Sequence, residues 1–305
     1  MRRRPPGLYE PVKYILSSGG KRLRPVMCLM SCNIFSDKVE QAIMPAVGLE
    51  VFHNFTLVHD DIMDGAEMRR NSPTVHSKWN TSQAILSGDV MAFIANECIS
   101  QSPAHLFPAV FRVYNSIATG VCAGQQLDMD FEKTPFVSME DYIRMVELKT
   151  AILIAGAVKI GAILGGAGDK EIESMYAFGR NLGLAFQVQD DILDAYGDPK
   201  IFGKKRGGDI IANKKTVLLI RALEQASGET LWRLQDIMAQ KEFDPEKKVS
   251  AVMEIYSELD IRNHAENLAN SYIDQAFASF DRLEAASSRK EPLLNLASEM
   301  VGRLR

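Results

Sequence analysis

Two short stretches of this chain carry three carboxylates each at the same spacing, and both lie in apolar surroundings. The first is Asp60-Asp61-Ile62-Met63-Asp64; the second is Asp190-Asp191-Ile192-Leu193-Asp194. Each stretch reads as a turn of helix, and apolar residues flank it (Leu57, Val58 and Ile62; Val188, Ile192 and Leu193), which suggests part burial. On a helix the outer acids share a face, while the middle acid points roughly 100° round the axis. Asp60 and Asp64 therefore address a common point, as do Asp190 and Asp194, and Asp61 and Asp191 act as lateral groups. Like charges one turn apart repel, and part burial raises the cost. A hard cation relieves it. All-oxygen sets favour Mg2+ or Mn2+, and Mg2+ shares its sphere with waters and substrate phosphates. Two such helices facing each other would make a site for several Mg2+ ions and a diphosphate. Either strip alone could be a solvated acidic turn, but two copies in apolar helices argue against that.

Cations recur at places that suit the same chemistry. Ser18-Gly19-Gly20-Lys21-Arg22-Leu23-Arg24-Pro25 puts a glycine pair before a helix start, with Lys21 and Arg24 three apart. Exposed backbone N–H groups there, joined by Lys and Arg, suit a diphosphate. Arg69 and Arg70 follow the first acidic strip, and Lys149-Thr150 stands in mid-helix beside the apolar run from Ala151 to Ala157. Lys204, Lys205 and Arg206, then Lys214 and Lys215, occupy the loop after the second strip. Ion pairing would account for any one of these; as a set they match Mg2+ and two phosphorylated ligands. The competing reading is a metal-dependent phosphohydrolase of the His-Asp type, suggested by His53 and His59-Asp60. Those histidines are six apart, off a common face, and lack a spaced partner set.

The rest of the chain is helical in period, with strand signals nearly absent. Helices are expected over 8–17, 25–35, 39–64, 82–100, 106–132, 138–164 and 171–196, with Ser138 to Asp141 as a capping box. Residues 65–80 and 201–213 read as loops. Four or five amphipathic helices follow Lys215, with breaks near Gly228, Asp244-Pro245, Asp260 and Glu291-Pro292. This is an all-α chain without a linker between independent halves. A net charge of -4 argues against nucleic acid as partner. Met1 to Arg4 is basic, but Pro5-Pro6-Gly7 follows where a secretory signal needs an apolar core. No transmembrane segment is expected: the nearest apolar run, 151–164, is short and interrupted by Lys159. Cys28, Cys32, Cys98 and Cys122 stand in apolar runs and read as core thiols of a reducing, cytoplasmic protein.

In this order the residues resemble the trans-isoprenyl diphosphate synthase (polyprenyl synthetase) family over nearly the whole chain, 1–305 as a single domain. The landmarks are Gly19-Gly20-Lys21-Arg22-Leu23-Arg24-Pro25, the first acidic strip with Arg69-Arg70, Gly88-Asp89, Gly124-Gln125-Gln126-Leu127-Asp128, Lys149-Thr150, the second strip with Gln187, and the Gly203-Lys204 and Lys214 loop. One departure is at the start. Where the family usually has an additional N-terminal helix, 2–7 leads straight into the helix that matches its second.

The resemblance implies an isoprenoid synthase helical bundle around a central cavity, assembled as a homodimer. It implies head-to-tail condensation of isopentenyl diphosphate with an allylic diphosphate (dimethylallyl, geranyl or farnesyl). Asp60, Asp64 and Asp190 would bind three Mg2+ ions, with Mn2+ as a substitute, backed by Arg69, Lys149, Lys204 and Lys214. Lys21, Arg24, His53 and Arg70 would hold isopentenyl diphosphate, and Gln187 and Thr150 would offer dipoles to the allylic cation. A terpene cyclase would carry a different second metal motif, and a non-catalytic synthase subunit would be expected to lose the acidic strips.

Product length should depend on what lies beneath the first strip. The growing tail would run from Asp60 back toward Val51, and Phe55, about 7.5 Å before Asp60 along the axis, is bulky enough to form a floor. Thr56 beside it is small. One aromatic at that place, with no second beside it, resembles geranylgeranyl diphosphate synthases, with farnesyl diphosphate synthase as the alternative. As an ordinary core aromatic, Phe55 would simply pack.

Overall fold

The computed structural model describes residues 5–198 and 206–302. In chain order its helices are α1 (Pro6–Ser17), α2 (Leu23–Phe35), α3 (Ile43–Met63), α4 (Val75–Lys78), α5 (Thr81–Ile99), α6 (Phe107–Lys133), α7 (Met139–Val146), α8 (Ile152–Gly165) and α9 (Asp169–Tyr196). Then come α10 (Gly208–Ile211), α11 (Val217–Gln225), α12 (Gly228–Ala239), α13 (Pro245–Glu258), α14 (Ile261–Asp281) and α15 (Ser287–Val301). The chain is all-α, as its periodicity requires.

Local chemistry sets many of these bounds. Asn80, Ser138, Thr216 and Asp244 each cap a helix by accepting backbone N–H groups of its first turn. Three departures from the expected pattern have local causes. The loop after the first strip contains a small antiparallel pairing of Met68–Arg69 with Ser72–Pro73. Its turn residues Arg70 and Asn71 have φ of 52° and 60°, which a tight two-residue turn needs and which Arg-Asn does not announce. The helix expected to run through 138–164 is widened at Glu147–Ala151 into a π-turn. Pro292 does not break the chain: it lies within α15, on the exposed side, while Leu293, Ala297 and Met300 bury the opposite stripe. One lost N–H bond near the helix start is offset by that packing.

The chain divides into two compact units. One comprises Met1–Ala118, Leu153–Tyr176 and Leu283–Leu293; the other comprises Thr119–Ile152, Ala177–Arg282 and Leu294–Arg305. In the first, α3 lies along α5, burying Leu49, Phe52, Met91, Ala95 and Ile99. The Ser31 hydroxyl donates to the Val158 carbonyl at 2.6 Å, tying α2 to α8. Val58 and Asp61 of α3 face inward, which leaves Asp60 and Asp64 on the more open side. The second unit is built on Tyr142, Val188, Ile192, Val217, Ile220, Val252, Ile255 and Tyr256. Val188 and Ile192 draw the inner face of α9 into that core, carrying Asp191 with them.

Two further expectations are corrected. Cys28, Cys32 and Cys98 are buried, but Cys122 is exposed on α6 and is not a core thiol. The helical run Met139–Gly165 is long and apolar enough to cross a membrane by length and composition, because the π-turn continues the helix; 72% of its apolar window is buried inside the protein, as in a core helix.

Asp244 offers a direct test of capping. Its carboxylate accepts from the N–H groups of Glu246 (3.0 Å) and Lys247 (3.3 Å), with Pro245 opening the helix. Asp244→Ala is expected to lower unfolding free energy by about 1 kcal/mol, measured by urea titration; an unchanged midpoint would reject the cap.

Candidate active site

In the first unit, the acidic strip and the arginines following it are joined by a fork. Arg69 Nε donates to Asp61 Oδ1 at 2.7 Å, and its Nη2 reaches Asp60 Oδ2 at 3.2 Å. Asp61 is 1% exposed and its Oδ2 has no hydrogen-bond partner. Burial pushes its carboxyl up, and Arg69 opposes that shift. Asp64 closes α3 one turn beyond Asp60, its N–H donating to the Asp60 carbonyl at 2.8 Å. The outer acids thus stand on successive turns, and the middle one is locked inward.

A second group forms around the glycine pair. Arg70 Nη1 donates to the Gly19 carbonyl. Gly20 is held at φ 121°, a backbone that strains any side chain, and the Arg70 guanidinium lies beside it. Arg22 pairs with Glu50 and also donates to the Leu16 carbonyl. Arg24 Nη1 lies 3.1 Å from His53 Nε2. A guanidinium only donates, so Nε2 is the acceptor and the ring proton sits on Nδ1. Burial, reinforced by Arg24, Arg70, Arg69 and Arg22, holds His53 well below its ordinary pKa, so it is neutral. Burial also draws Arg24 down to about 10, Glu50 raising it and Arg70 lowering it further, and it stays charged at neutral pH. Its Nε is enclosed without a hydrogen-bond partner. Lys21, next to Arg22 in the chain, is exposed. The cluster is strongly positive and suits a multiply charged anion.

Phe55 is half-buried in an aromatic series, its ring 5.4 Å from Phe52 and 4.9 Å from His59. Phe52 in turn lies 5.6 Å from Tyr114. Thr56 turns its hydroxyl back to the His53 carbonyl at 2.8 Å. His59 Nε2 lies 3.1 Å from the Ile85 carbonyl, so the two histidines serve different partners.

The second unit holds the other strip. Asp191 is fully buried and accepts from Tyr142 Oη (2.7 Å), Gln187 Nε2 (3.0 Å) and the Val217 N–H (3.1 Å). Gln187 Oε1 accepts from Thr150 Oγ1 at 3.0 Å, which carries the network into the π-turn. Arg180 of α9 grips Glu147 at the other end of that turn at 2.7 Å. Lys149 pairs with Asp128. Asp190 stays half-exposed, while Asp194 Oδ2 accepts the Asp209 N–H at 3.0 Å. A cavity of about 110 Å³ is lined by Asp128, Lys149, Thr150, Gln187, Lys214 and Lys215, among others. Lys204 lies outside the described residues.

Tyr142, Glu50, Phe52 and Tyr114 were not legible as site residues, because each makes a contact with a partner distant in sequence: Asp191, Arg22 and, for the two aromatics, each other. Among the described residues, no three His, Cys, Asp or Glu side chains converge on one metal point. Oxygen-only donors and outer acids one turn apart fit a hard cation that completes its sphere with phosphate and water.

The polyprenyl synthetase family model matches residues 5–256. The chain is 38% identical over 303 residues to a geranylgeranyl diphosphate synthase of Methanosarcina mazei, covering 98% of this chain and 91% of that protein. It is 35% identical over 295 residues to a geranylfarnesyl diphosphate synthase of Aeropyrum pernix, covering 94% and 91%. A crystal structure of a geranylgeranyl pyrophosphate synthase superposes with a TM-score of 0.94 at 39% identity, covering 99% and 93%. Another, of the Corynebacterium glutamicum enzyme complexed with isoprenyl diphosphate and magnesium, gives 0.87 at 26% identity, covering 97% and 90%.

The Asp191 network makes a measurable prediction for the metal-free protein. Burial raises the Asp191 carboxyl to about 6, against the pull of its three donors. Between its ordinary value and about 6 the folded chain keeps a proton that the unfolded chain has released, so this group's contribution to stability is lost as pH rises through that window. Tyr142→Phe removes one donor to the anion, and a loss of roughly 1.5–3 kcal/mol at neutral pH is expected. It should also move the Asp191 titration upward, followed by carboxyl NMR. Wild-type stability and an unmoved titration would exclude the network.

Proposed function

The chain belongs to the polyprenyl synthetase family, and from that premise we propose that it is a trans-prenyltransferase joining isopentenyl diphosphate head-to-tail to an allylic diphosphate. The observation that carries the proposal is the coexistence of two complete acidic strips with a separate arginine pocket built on Arg24, His53 and Arg70. A non-catalytic subunit has no need of both strips, and a hydrolase of the His-Asp type needs histidines that share a metal, whereas His53 and His59 engage different partners.

In this reading Asp60, Asp64 and Asp190 would hold three Mg2+ ions, for which Mn2+ can stand in. When bound, the ions neutralise charge that develops on the departing diphosphate. Lys149, Lys204, Lys214 and Arg69 add positive charge to the allylic diphosphate, and Asp61 holds Arg69 in place. Lys21, Arg24, Arg70 and neutral His53 hold the isopentenyl diphosphate.

The allylic C–O bond breaks with its electron pair leaving on the diphosphate. The isopentenyl double bond then attacks the allylic carbon, and loss of a proton from the adjoining carbon restores a double bond. Gln187 is fixed by Asp191 and Thr150, so its amide dipole is preorganised for the cation. Apolar walls keep water from competing.

The starters are dimethylallyl, geranyl or farnesyl diphosphate, and the main product is geranylgeranyl diphosphate, with farnesyl diphosphate the alternative. Phe55, one turn and more below Asp60, supports the short product. The assembly is a homodimer; the exposed Leu86 and Phe93, seven apart on α5, support a face for a second copy. Free cysteines support the cytoplasm.

Incubation with labelled isopentenyl diphosphate, each starter and Mg2+ tests the reaction. Asp60→Ala and Asp190→Ala are expected to lose condensation by on the order of a hundredfold or more while remaining folded. Arg24→Ala should raise the KM for isopentenyl diphosphate roughly tenfold or more. Near-normal turnover by folded Asp190→Ala protein would refute the assignment. Phe55→Ala should lengthen the products on chromatography of the dephosphorylated alcohols; unchanged lengths would remove Phe55 as the floor.

A further inference from the structure

Lys248 is a buried cation that the chemistry above does not use. It lies on α13 with 3% of its surface exposed. Its Nζ donates to Asn213 Oδ1 at 2.6 Å and to the Ile211 carbonyl at 3.2 Å, and it stands 4.1 Å from the Phe243 ring centroid. Burial lowers its pKa. Buried ammonium groups usually face a carboxylate. Here the three donor directions are taken up by two neutral acceptors and a ring face. Such an arrangement fixes geometry without cancelling charge.

Both acceptors belong to the stretch 206–216, whose only regular structure is the single turn α10. Asn213 is left-handed, at φ 55°, and its Nδ2 donates to the Met238 carbonyl of α12 at 3.0 Å. Gly207 is left-handed too, at φ 79°, and a Cβ there would fall 2.8 Å from the side chain of Val249, next to Lys248. On its other side the stretch is tied to the second acidic strip. The Gly207 N–H donates to the Asp194 carbonyl at 2.8 Å, and the Asp209 N–H to Asp194 Oδ2 at 3.0 Å. Between these two supports the chain turns so that Lys214 and Lys215 line the cavity that also holds Lys149, Thr150 and Gln187.

We propose that Lys248 is a positioning residue: from behind the loop it fixes the 211–213 turn and so sets Lys214 and Lys215 against the diphosphate of the allylic substrate. This rests on the prenyltransferase reading. Lys248 contributes no contact to the ligand; its effect is transmitted through one backbone carbonyl and one side-chain amide. A merely structural lysine would change the amount of folded protein and leave the affinity of that protein for each substrate alone.

The test compares wild type, Lys248→Met and Lys248→Arg in steady-state condensation, with folded fraction taken from circular dichroism. Lys248→Met keeps the stem and removes the donors. It is expected to raise the KM for the allylic diphosphate about tenfold, with the KM for isopentenyl diphosphate unmoved. Lys248→Arg should recover part of the loss. Calorimetric binding of a non-ionisable allylic thiolodiphosphate should weaken in parallel. If Lys248→Met does not fold, Asn213→Gly keeps the left-handed backbone, removes the acceptor and should show the same shift. An active wild type whose folded Lys248→Met or Asn213→Gly variant keeps both KM values overturns the positioning role alone. A wild type with no condensation overturns the prenyltransferase reading and this role with it.

Discussion

A carboxylate buried against an apolar helix face has to find donors, and in the second unit the answer to that requirement organises the site. Asp191 takes a phenol from α7, an amide from its own helix and the first N–H of α11. Three elements far apart in sequence are thereby fixed to one group. Gln187 and Thr150 inherit their orientation from it, and the start of α11 limits where the preceding loop can run. Asp61 obeys the same rule more economically, with Arg69 as its neighbour. In both strips the middle acid is committed to architecture, so the outer acids are presented at a defined angle.

Much of this was legible in the residues. Helical period and punctuation placed nearly every helix, and the spacing of the acids gave the inward and outward faces of α3 and α9. What remained hidden has a common cause. Tyr142 stands 49 residues before its partner Asp191, and no local pattern announces such a contact. The Arg70-Asn71 turn lacks the glycine that marks left-handed backbone. Pro292 looked like a stop because a chain read locally cannot weigh one lost hydrogen bond against a buried stripe. Cys122 looked apolar in context and proved to face outward, since sequence neighbours on a helix point in different directions.

The π-turn at Glu147–Ala151 shows how a small irregularity serves placement. A regular helix would carry Lys149 and Thr150 round at a fixed angle; the wider turn re-aims both. Its two ends are held to α9 through Arg180 with Glu147 and Thr150 with Gln187. The distortion is thus fastened to the helix that bears the second acidic strip. Thr150 and Gln187 are therefore held to one another, while Lys149, one residue before, pairs with Asp128.

His53 has a consequence of a different kind. A side chain that aims an arginine is commonly an acid, and an acid also discharges it. His53 aims Arg24 as a neutral acceptor, with its ring kept unprotonated by burial and the surrounding arginines. Aim and charge are thereby separated. Arg24 thus keeps its own charge beside a neutral partner, while Glu50 neutralises Arg22 alongside, and the His53 ring adds no charge of its own that would come and go near neutral pH.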